Sequence, residues 1–397
     1  YFKTFFIILD HFFCYFKYNK KIRNYKNKKI GTVFFSDKRF YYEKYNSKYF
    51  NNLIDPYFYF YKSKKKIKIE IINTVGLKQK FFKPDYLNIY SLSIFSYIIF
   101  KLNFIYRLFT KNKINKKLKL LEKKYFLELN SNEILKNFLT IKFQSIVFEK
   151  ILKTIKPNAV YISCYYNIEN FVISYVCNKL DINCFDIQHG GIEDYHLMYA
   201  NWKHKNIRKN NLLPKNFLVW DKRPISITTL PNTALKNFKI VGKQSINFWE
   251  KYEKFLEDLK QKKNIKFLHE LKKYKSVVLV CLTTDLPKEI TQLINELPSN
   301  YFWLIRAHPR HTNFRLIQKK LFEIRKTKNY DLNFSSKLNL NILLKNSDKF
   351  ITDYSSTIYD ADYFGLPKLV INNDLNLFRS WKNIQKCIFS KNMKIMK

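Results

Sequence analysis

The sequence predicts an α/β protein with two domains, each built on a parallel sheet covered by helices. Strand-like runs alternate with helical patterns from residue 158 onward, and the alternation restarts at residue 276 after a polar, lysine-rich stretch. Such alternation is typical of βαβ units. The chain of 397 residues is also long enough for two separate hydrophobic cores.

The first half contains few clear patterns before residue 130. Short strand-like runs occur at 32–36 and 67–74, and apolar residues at helical spacing occur at 89–126, with interruptions, and at 132–156. Pro157 lies just beyond the second helical pattern, where a helix should end. The elements predicted next are a strand at 159–164, a helix at 168–180, and strands at 184–187, 217–220 and 239–241.

The second half repeats this alternation after a polar helical stretch at 250–275. Its predicted elements are strands at 276–282, 302–306, 349–352 and 368–371, and helices at 288–297, 316–326, 339–345 and 357–364. We therefore predict a first domain at 1–245 with a helical insertion, a helical linker at 246–275 and a second domain at 276–397. Ligands of open α/β sheets bind beyond the carboxyl ends of the strands. The site is expected there, in a cleft between the domains.

The charge of the chain restricts its partners. The formal net charge is +42, but the lysines are interleaved with Asn, Ile, Tyr and Phe along the whole sequence. All of these residues have A/T-rich codons, so base composition explains much of the excess. Among functional explanations, an anionic membrane surface fits better than nucleic acid, because no nucleic-acid-binding module is recognisable.

Cysteine usage and hydropathy indicate a cytoplasmic protein. The six cysteines form no CxxC pair and have no neighbouring histidine, so buried reduced thiols are expected and no metal site. The longest uncharged stretch, residues 86–100, is shorter than the ~20 apolar residues that span a bilayer. The first residue is Tyr1, so a preceding segment is conceivable.

The first candidate site motif is Gln188-His189-Gly190-Gly191, directly after a predicted strand. It holds two of the six glycines in the chain. Consecutive glycines let the backbone approach a ligand closely. A histidine at a strand end titrates near neutral pH and suits a general base. The alternative is a tight turn with an incidental histidine.

The second motif is Arg306-Ala307-His308-Pro309-Arg310, which follows the strand YFWLI. Arginine supplies forked donors that bind phosphate, and proline fixes the turn. We therefore predict nucleotide or phosphate binding by Arg306, His308, Pro309 and Arg310. The alternative is a solvated basic turn.

The third motif runs through Ser355, Ser356 and Thr357 at the start of a predicted helix. Hydroxyl groups there either cap the helix or bind phosphate together with backbone N–H groups, and the two roles are compatible. Asp360 lies about one helical turn further on, where its carboxylate could reach ribose hydroxyls, and Asp362 is a competing candidate.

These three motifs in this order resemble bacterial enzymes of capsule and surface-polysaccharide synthesis with the two-domain GT-B fold. The histidine-proline and Ser-Ser motifs are similar to those of sialyltransferases and capsule Kdo transferases, in which they bind the CMP part of the donor. The His-Gly and DYSS motifs also resemble CDP-glycerol glycerophosphotransferases. The resemblance covers residues 158–381. It implies two Rossmann-like βαβ domains that face a central cleft, with the nucleotide-sugar bound by the second.

The resemblance also implies roles for individual residues. His189 is implied to be the base, and Ser355 and Ser356 to hold the donor phosphate. Sialyltransferases carry an acidic motif that precedes a glycine, whereas Glu193 and Asp194 follow the glycines here. This departure argues against a sialyltransferase and makes Asp194 a second candidate base.

We expect an inverting, metal-independent glycosyltransferase that needs no cofactor and uses a nucleotide-sugar as substrate. Its acceptor would be a surface glycan or a lipid-linked glycan, and it would lie in the cytoplasm or peripherally at the inner face of the plasma membrane. The alternatives are a glycerophosphotransferase, a nucleotide-sugar 2-epimerase, and a basic protein without enzyme activity that binds membranes or nucleic acid.

Overall fold

A computed structural model describes most of the chain. The described residues are 16–37, 41–71, 85–87, 104–125, 130–192, 196, 198–199, 213–227, 237–283, 285–308, 314–322, 329–371 and 387–389.

The first half forms a parallel sheet of seven described strands in the order β5-β4-β1-β6-β7-β8-β9. These strands are β1 (Thr32–Asp37), β4 (Lys66–Ile71), β5 (Asp85–Leu87), β6 (Ala159–Ser163), β7 (Asn183–Ile187), β8 (Asn216–Val219) and β9 (Phe238–Ile240). A separate antiparallel hairpin consists of β2 (Tyr41–Tyr45) and β3 (Lys48–Asn51).

The second half forms a parallel sheet of six described strands in the order β12-β11-β10-β13-β14-β15. These strands are β10 (Ser276–Cys281), β11 (Tyr301–Arg306), β12 (Tyr330–Asp331), β13 (Lys349–Thr352), β14 (Lys368–Val370) and β15 (Cys387–Phe389). All six residues of β10 are buried, as expected of a central strand that is covered on both faces.

Helices connect the strands and cover both sheets. The α-helices of the first half are α1 (16–24), α2 (Ile54–Phe60), α3 (Phe104–Tyr125), α4 (Ser131–Ile155), α5 (Ile168–Lys179), α6 (Arg223–Ile227) and α7 (Gln244–Tyr252). Those that follow are α8 (Lys262–Leu271), α9 (Lys288–Glu296), α10 (Phe314–Phe322), α11 (Asn333–Lys337), α12 (Leu340–Lys345) and α13 (Ile358–Tyr363).

The predicted alternation of strands and helices is confirmed in both halves, with bounds that differ by a few residues. The sequence patterns missed the hairpin, whose turn places Asn46 and Ser47 at positive φ angles of 48° and 59°. No glycine marks this turn, so the usual hairpin signal is absent. The helix predicted at 89–126 is described only from Phe104 onward, and residues 88–103 lie outside the described part. The predicted domain bounds stay predictions.

One hydrophobic cluster joins the two sheets through α7. Phe248 and Trp249 of this helix are buried among side chains from both halves of the chain. Phe248 stacks on Phe50 of the hairpin with ring centroids 4.5 Å apart, and Trp249 Nε1 donates to Asn52 Oδ1 at 3.0 Å. The two sheets are therefore held against each other by a continuous apolar core.

The long helix α4 packs against α5 with only part of its apolar surface. Phe148, Ile151 and Leu152 are fully buried, whereas Phe138 and Ile146 are 46% and 53% exposed. Helical spacing alone therefore overstates the buried face of this helix. Among the described residues, no helix combines the length and apolar character needed to cross a membrane.

The described cysteine side chains agree with the expectation of reduced thiols. Cys164, Cys177, Cys184 and Cys281 are buried, and none of these four forms a disulfide. The thiols of Cys14 and Cys387 lie outside the described side chains.

Candidate functional site

The first site loop is shaped by the side chain of Gln188. Its backbone N–H donates to Leu218 O at 2.9 Å, and its Nε2 donates to Gly190 O at 2.9 Å. Its Oε1 accepts from Trp220 N at 2.8 Å. Gln188 thus connects the end of β7 to the end of β8 and fixes the backbone on either side of His189. Gly190 has open space around its Cβ position.

His189 is half-buried and contacts a tyrosine at the end of the neighbouring strand β6. Its Nε2 lies 2.8 Å from the hydroxyl oxygen of Tyr166, which in turn lies 3.3 Å from Nε2 of His196. Burial lowers the pKa of His196. The carboxyl end of the first sheet therefore carries two imidazoles joined by one phenol, which is a chemically plausible setting for proton transfer.

A buried carboxyl group lies beneath this loop. Asp186 on β7 accepts from Tyr165 N at 3.1 Å and from the Tyr199 hydroxyl at 2.8 Å. Burial raises its pKa to about 8, because the two hydrogen bonds only partly compensate for lost hydration. The carboxyl group is therefore mainly protonated at neutral pH and supports the loop as a neutral group.

This pKa predicts how stability changes with pH. In the unfolded chain Asp186 loses its proton near pH 4, while in the folded chain it keeps the proton up to about pH 8. Unfolding therefore releases a proton between these values, and rising pH favours the unfolded state by up to about 1.4 kcal/mol per pH unit. In Asp186→Asn this contribution should disappear. Urea denaturation of both proteins from pH 5 to 8 measures it, and parallel pH profiles would refute it.

The second site loop follows β11, and its first residue, Arg306, makes hydrogen bonds that stabilise the fold. Nη1 of Arg306 donates to the backbone oxygens of Ser335 and Leu338 at 2.7 and 2.6 Å. This guanidinium therefore anchors the segment that contains α11, and its phosphate-binding role stays a prediction. His308 is half-buried. Pro309 and Arg310 lie outside the described residues.

The third site loop lies at the end of β13 and is held by Asp353. The Asp353 carboxylate accepts from the backbone N–H and the hydroxyl of Thr283 at 2.9 and 2.8 Å. The backbone N–H of Ser355 donates to the Thr352 hydroxyl at 3.0 Å. The loop is therefore fixed to the end of β10 through the side chain that precedes the hydroxyl residues.

The hydroxyl groups of this loop do not cap the helix that follows. Thr357 is the N-cap residue of α13, but its side chain makes no capping hydrogen bond. Its hydroxyl donates instead to Ser355 Oγ at 2.9 Å. Ser355 Oγ also accepts from the backbone N–H of Thr357 at 3.4 Å, so these two side chains hydrogen-bond within the loop and their phosphate-binding role stays a prediction. The helix is only six residues long, and the hydroxyl groups rather than a long helix dipole would have to bind phosphate.

The second and third loops meet around the buried thiol of Cys281 at the end of β10. Burial raises the pKa of Cys281 to about 12, while the charge of Arg306 and a hydrogen bond with Thr357 oppose this rise. The negative charges of Asp360 and Asp353 add to the rise. Three of the predicted site residues of the second half, Arg306, Thr357 and Asp360, therefore lie around one strand end.

The two halves touch directly beside these loops. Trp220, after β8, meets Tyr359 of α13 edge to face at 5.6 Å. Lys243, which precedes α7, binds both carboxylate oxygens of Asp360 at 2.6 and 2.7 Å and lies 4.2 Å from the Trp220 ring centroid. The contacts from Gln188 to Trp220 and on to Tyr359 thus connect the first loop to the third.

The surroundings of Asp360 bear on its predicted role, whereas those of Asp194 are not described. Asp360 was predicted to reach ribose hydroxyls, but its carboxylate is 4% exposed and paired with Lys243. Its ribose contact stays a prediction, and it would require the carboxylate to serve two partners. Asp194, the second candidate base, and Glu193 lie outside the described residues, while Gly191 is half-buried. In the described part of the chain, no three His, Cys, Asp or Glu side chains cluster as metal ligands would.

Comparison with known proteins agrees with this architecture. Residues 275–384 match the family described as CDP-Glycerol:Poly(glycerophosphate) glycerophosphotransferase. This range begins just before β10 and includes the second and third site loops. The chain has no sequence match among curated proteins.

The similar solved structures include nucleotide-sugar enzymes. A UDP-N-acetylglucosamine 2-epimerase aligns with a TM-score of 0.50 and 12% identity over 87% of this chain and 80% of its own. The UDP-GlcNAc 2-epimerases of Neisseria meningitidis and Methanocaldococcus jannaschii, also 12% identical, have TM-scores of 0.48 and 0.49. They cover 89% and 91% of this chain and 85% and 89% of their own. At such identity the first likeness concerns the fold alone, and it confirms the predicted GT-B arrangement.

The match of residues 275–384 to a glycerophosphotransferase family indicates a transferase. Sequence reasoning missed several residues that the structure places beside the first and third site loops: Tyr166, His196, Trp220 and Lys243. Tyr166 could have been found, because it follows β6 directly and so obeys the same strand-end rule as His189. The pairing of Lys243 with Asp360 spans 117 residues of sequence and has no local signal.

Proposed function

We propose that this transferase moves a sugar from a nucleotide-sugar donor to a surface-polysaccharide or lipid-linked glycan acceptor. The observation that carries the proposal is the position of His189. Its loop is connected through Gln188, Trp220 and Tyr359 to the hydroxyl loop of the second half. A base from the first half and a phosphate-binding loop from the second would thus face one cleft.

In the proposed reaction, His189 takes the proton of the acceptor hydroxyl. The acceptor oxygen forms a bond to the sugar carbon, and the bond from that carbon to the nucleotide oxygen breaks with inversion. The leaving phosphate takes the electron pair, and Arg306, His308, Ser355 and Ser356 stabilise its charge. These side chains provide the charge stabilisation, and the proposed reaction requires neither a metal nor a cofactor.

A second candidate function is transfer of glycerophosphate from CDP-glycerol, which the family match of residues 275–384 favours. The same base and loops would serve, but the acceptor oxygen would attack phosphorus and the leaving group would be CMP. An epimerase would instead convert the nucleotide-sugar without any acceptor.

The three candidate functions predict different labelled products. The purified chain is incubated with a bacterial envelope glycan fraction and, separately, with CDP-glycerol and with CMP-, UDP- and GDP-sugars labelled in the transferred group. Label from a sugar in the glycan fraction supports the first proposal, and label from CDP-glycerol supports the second. An altered nucleotide-sugar without acceptor supports an epimerase. No conversion of any donor contradicts all three.

We also propose that the enzyme works at an anionic membrane surface through α3. This helix carries one acidic residue, Glu122, among many lysines. Leu120 and Leu121 are 62% and 43% exposed, and the lysines at 113, 116, 117, 119, 123 and 124 are exposed around them. The exposed lysines of this helix would attract it to an anionic lipid surface.

Vesicles of equal parts phosphatidylethanolamine and phosphatidylglycerol test this surface. Each lysine near such a membrane contributes about 1 kcal/mol, so Lys116→Ala/Lys117→Ala should weaken binding about thirtyfold. The matched control is Lys262→Ala/Lys263→Ala, which removes two exposed lysines from α8. Equal loss in both double variants would mean that binding follows net charge and that α3 is not the contact.

A further inference from the structure

The hydroxyl group of Tyr166 bridges two histidines, and we refer to His189, Tyr166 and His196 as the His–Tyr–His chain. The Tyr166 oxygen lies 2.8 Å from His189 Nε2 and 3.3 Å from His196 Nε2. The Tyr166 ring also meets both imidazoles at steep angles, with centroids 5.5 and 5.4 Å apart. The three side chains therefore form one packed unit rather than a single chance contact.

The chemistry of the bridge couples the protonation of the two imidazoles. A phenol has one hydrogen, so it can donate to only one of the two Nε2 atoms. A neutral imidazole has one N–H and one acceptor nitrogen. If Tyr166 donates to His189, the bond to His196 requires His196 to carry its hydrogen on Nε2. If Tyr166 donates to His196, then Nε2 of His189 must carry the hydrogen.

Only one of these arrangements leaves His189 able to accept a proton from a substrate. The Nδ1 atom of His189 is buried, so Nε2 is the nitrogen through which it can exchange a proton with the cleft. Nε2 must then be unprotonated in the resting enzyme, with Tyr166 as its donor. Burial keeps His196 neutral by lowering its pKa, so its tautomer decides the direction of the chain.

We propose that Tyr166 and His196 hold His189 in the tautomer with an unprotonated Nε2, with His196 as a positioning residue and Tyr166 as the group that passes the proton to His189. His196 donates its Nε2–H to the Tyr166 oxygen, and Tyr166 donates its hydrogen to His189. When the acceptor hydroxyl arrives, its O–H bond breaks and its proton passes to the Tyr166 oxygen, while the hydrogen of Tyr166 moves to His189 Nε2. The electron pair of the broken O–H bond stays on the acceptor oxygen, and His189 Nε2 then donates to the Tyr166 oxygen. The tautomer is inferred from the proposed role of His189 as base and so rests on the proposed function, but it can be measured independently of activity.

Among the described residues, the groups in contact with the His–Tyr–His chain are neutral or buried. Tyr199 packs edge to face on both Tyr166 and His196, at 6.2 and 4.9 Å, and donates to Asp186. Tyr165 contacts Tyr166 at 5.7 Å, and burial raises the pKa of Tyr165 and of Tyr199. Because Asp186 is itself mainly protonated at neutral pH, it adds no negative charge that would fix the tautomer.

Two substitutions at position 196 have nearly the same shape and opposite hydrogen-bond character. The amide of His196→Gln can donate to the Tyr166 oxygen as the imidazole does. The carboxylate of His196→Glu only accepts, so it takes the hydrogen of Tyr166 and leaves His189 to donate through Nε2. Tyr166→Phe removes the bridge altogether and leaves neither tautomer enforced.

The test is a long-range ¹H–¹⁵N correlation spectrum of the full chain with ¹⁵N-labelled histidine, with His189 assigned from the signals lost in His189→Gln. We expect Nε2 of His189 to be unprotonated in the wild type and in His196→Gln, and protonated in His196→Glu. Transfer activity should fall by about 10²-fold or more in His196→Glu and only a few-fold in His196→Gln. Melting temperatures establish that the variants are folded.

A wild-type His189 that is protonated on Nε2 would overturn the proposal, as would identical His189 signals in His196→Gln and His196→Glu. Should His196→Glu not fold, Tyr166→Phe replaces it, and unchanged His189 signals there would also overturn the proposal. The expected signals without transfer from any donor would contradict the proposed function and leave the tautomer assignment standing.

Discussion

Replacing His189 with glutamine is expected to lower the rate of transfer by about 10²–10⁴-fold, the usual contribution of a general base. Glutamine can still hydrogen-bond to the Tyr166 hydroxyl, which lies 2.8 Å from the imidazole in the wild type. It cannot accept a proton at neutral pH, so the substitution removes the base and keeps the contact. The rate of label transfer from the active donor, measured at saturating donor and acceptor, gives the effect.

The matched control is His269→Gln. His269 is exposed near the end of α8, outside the three site loops, so its replacement should leave the rate unchanged. Equal rates in wild type and His189→Gln would show that another group is the base, and Asp194 would then be the next residue to replace. Donor binding should persist in His189→Gln, because the second half is proposed to hold the nucleotide.

Replacing Lys68 with methionine is expected to lower the free energy of unfolding by about 3–5 kcal/mol. Lys68 on β4 and Asp55 on α2 form an ion pair at 2.5 Å, and both side chains are fully buried. Asp55 also accepts from Asn51 N at 2.8 Å, so it cannot turn toward solvent without losing that bond. Methionine fills the space of the lysine stem but leaves a buried carboxylate without its cation.

The same substitution at an exposed ion pair provides the comparison. Lys179 binds Glu149 at 2.7 Å, but its side chain is 50% exposed. Lys179→Met should therefore lower the free energy of unfolding far less than Lys68→Met, because water screens an exposed ion pair. Chemical denaturation of both variants measures the difference. An equal loss of stability in Lys68→Met and Lys179→Met would mean that burial does not make the Lys68–Asp55 ion pair more important than an exposed one.

The fold was predictable wherever hydrophobic residues follow the pattern of a strand or a helix. Strands such as β10 are continuous apolar runs, and the polar residues that matter follow the strand ends, so both sheets and their loops could be located. The sequence KIKIEI of β4 shows the limit of this reasoning. Its alternation is typical of a strand with one solvated face, yet Lys68 and Glu70 are buried because other elements cover that face.

The candidate site was predictable as three loops but not as a set of contacts. The sequence located His189, Arg306 and the serines by their place after strands. It could not indicate that Arg306 binds two backbone oxygens, or that Lys243 pairs with Asp360 from the other half of the chain. Such pairings depend on how the two sheets pack against each other. This packing produces no periodic pattern of residues in the sequence of either half.

The most direct test of the account is nucleotide binding by the hydroxyl loop. The melting temperature of the full chain is measured with CMP, CDP, UDP and GDP, and again for Ser355→Ala/Ser356→Ala, with Ser299→Ala as an exposed serine control. A ligand at a hundredfold excess over its Kd stabilises the folded state by about 2.7 kcal/mol. We predict a clear rise with at least one nucleotide, kept in the control and lost in the double variant. No rise with any nucleotide, or a rise that survives the double substitution, would contradict the assignment of the donor site.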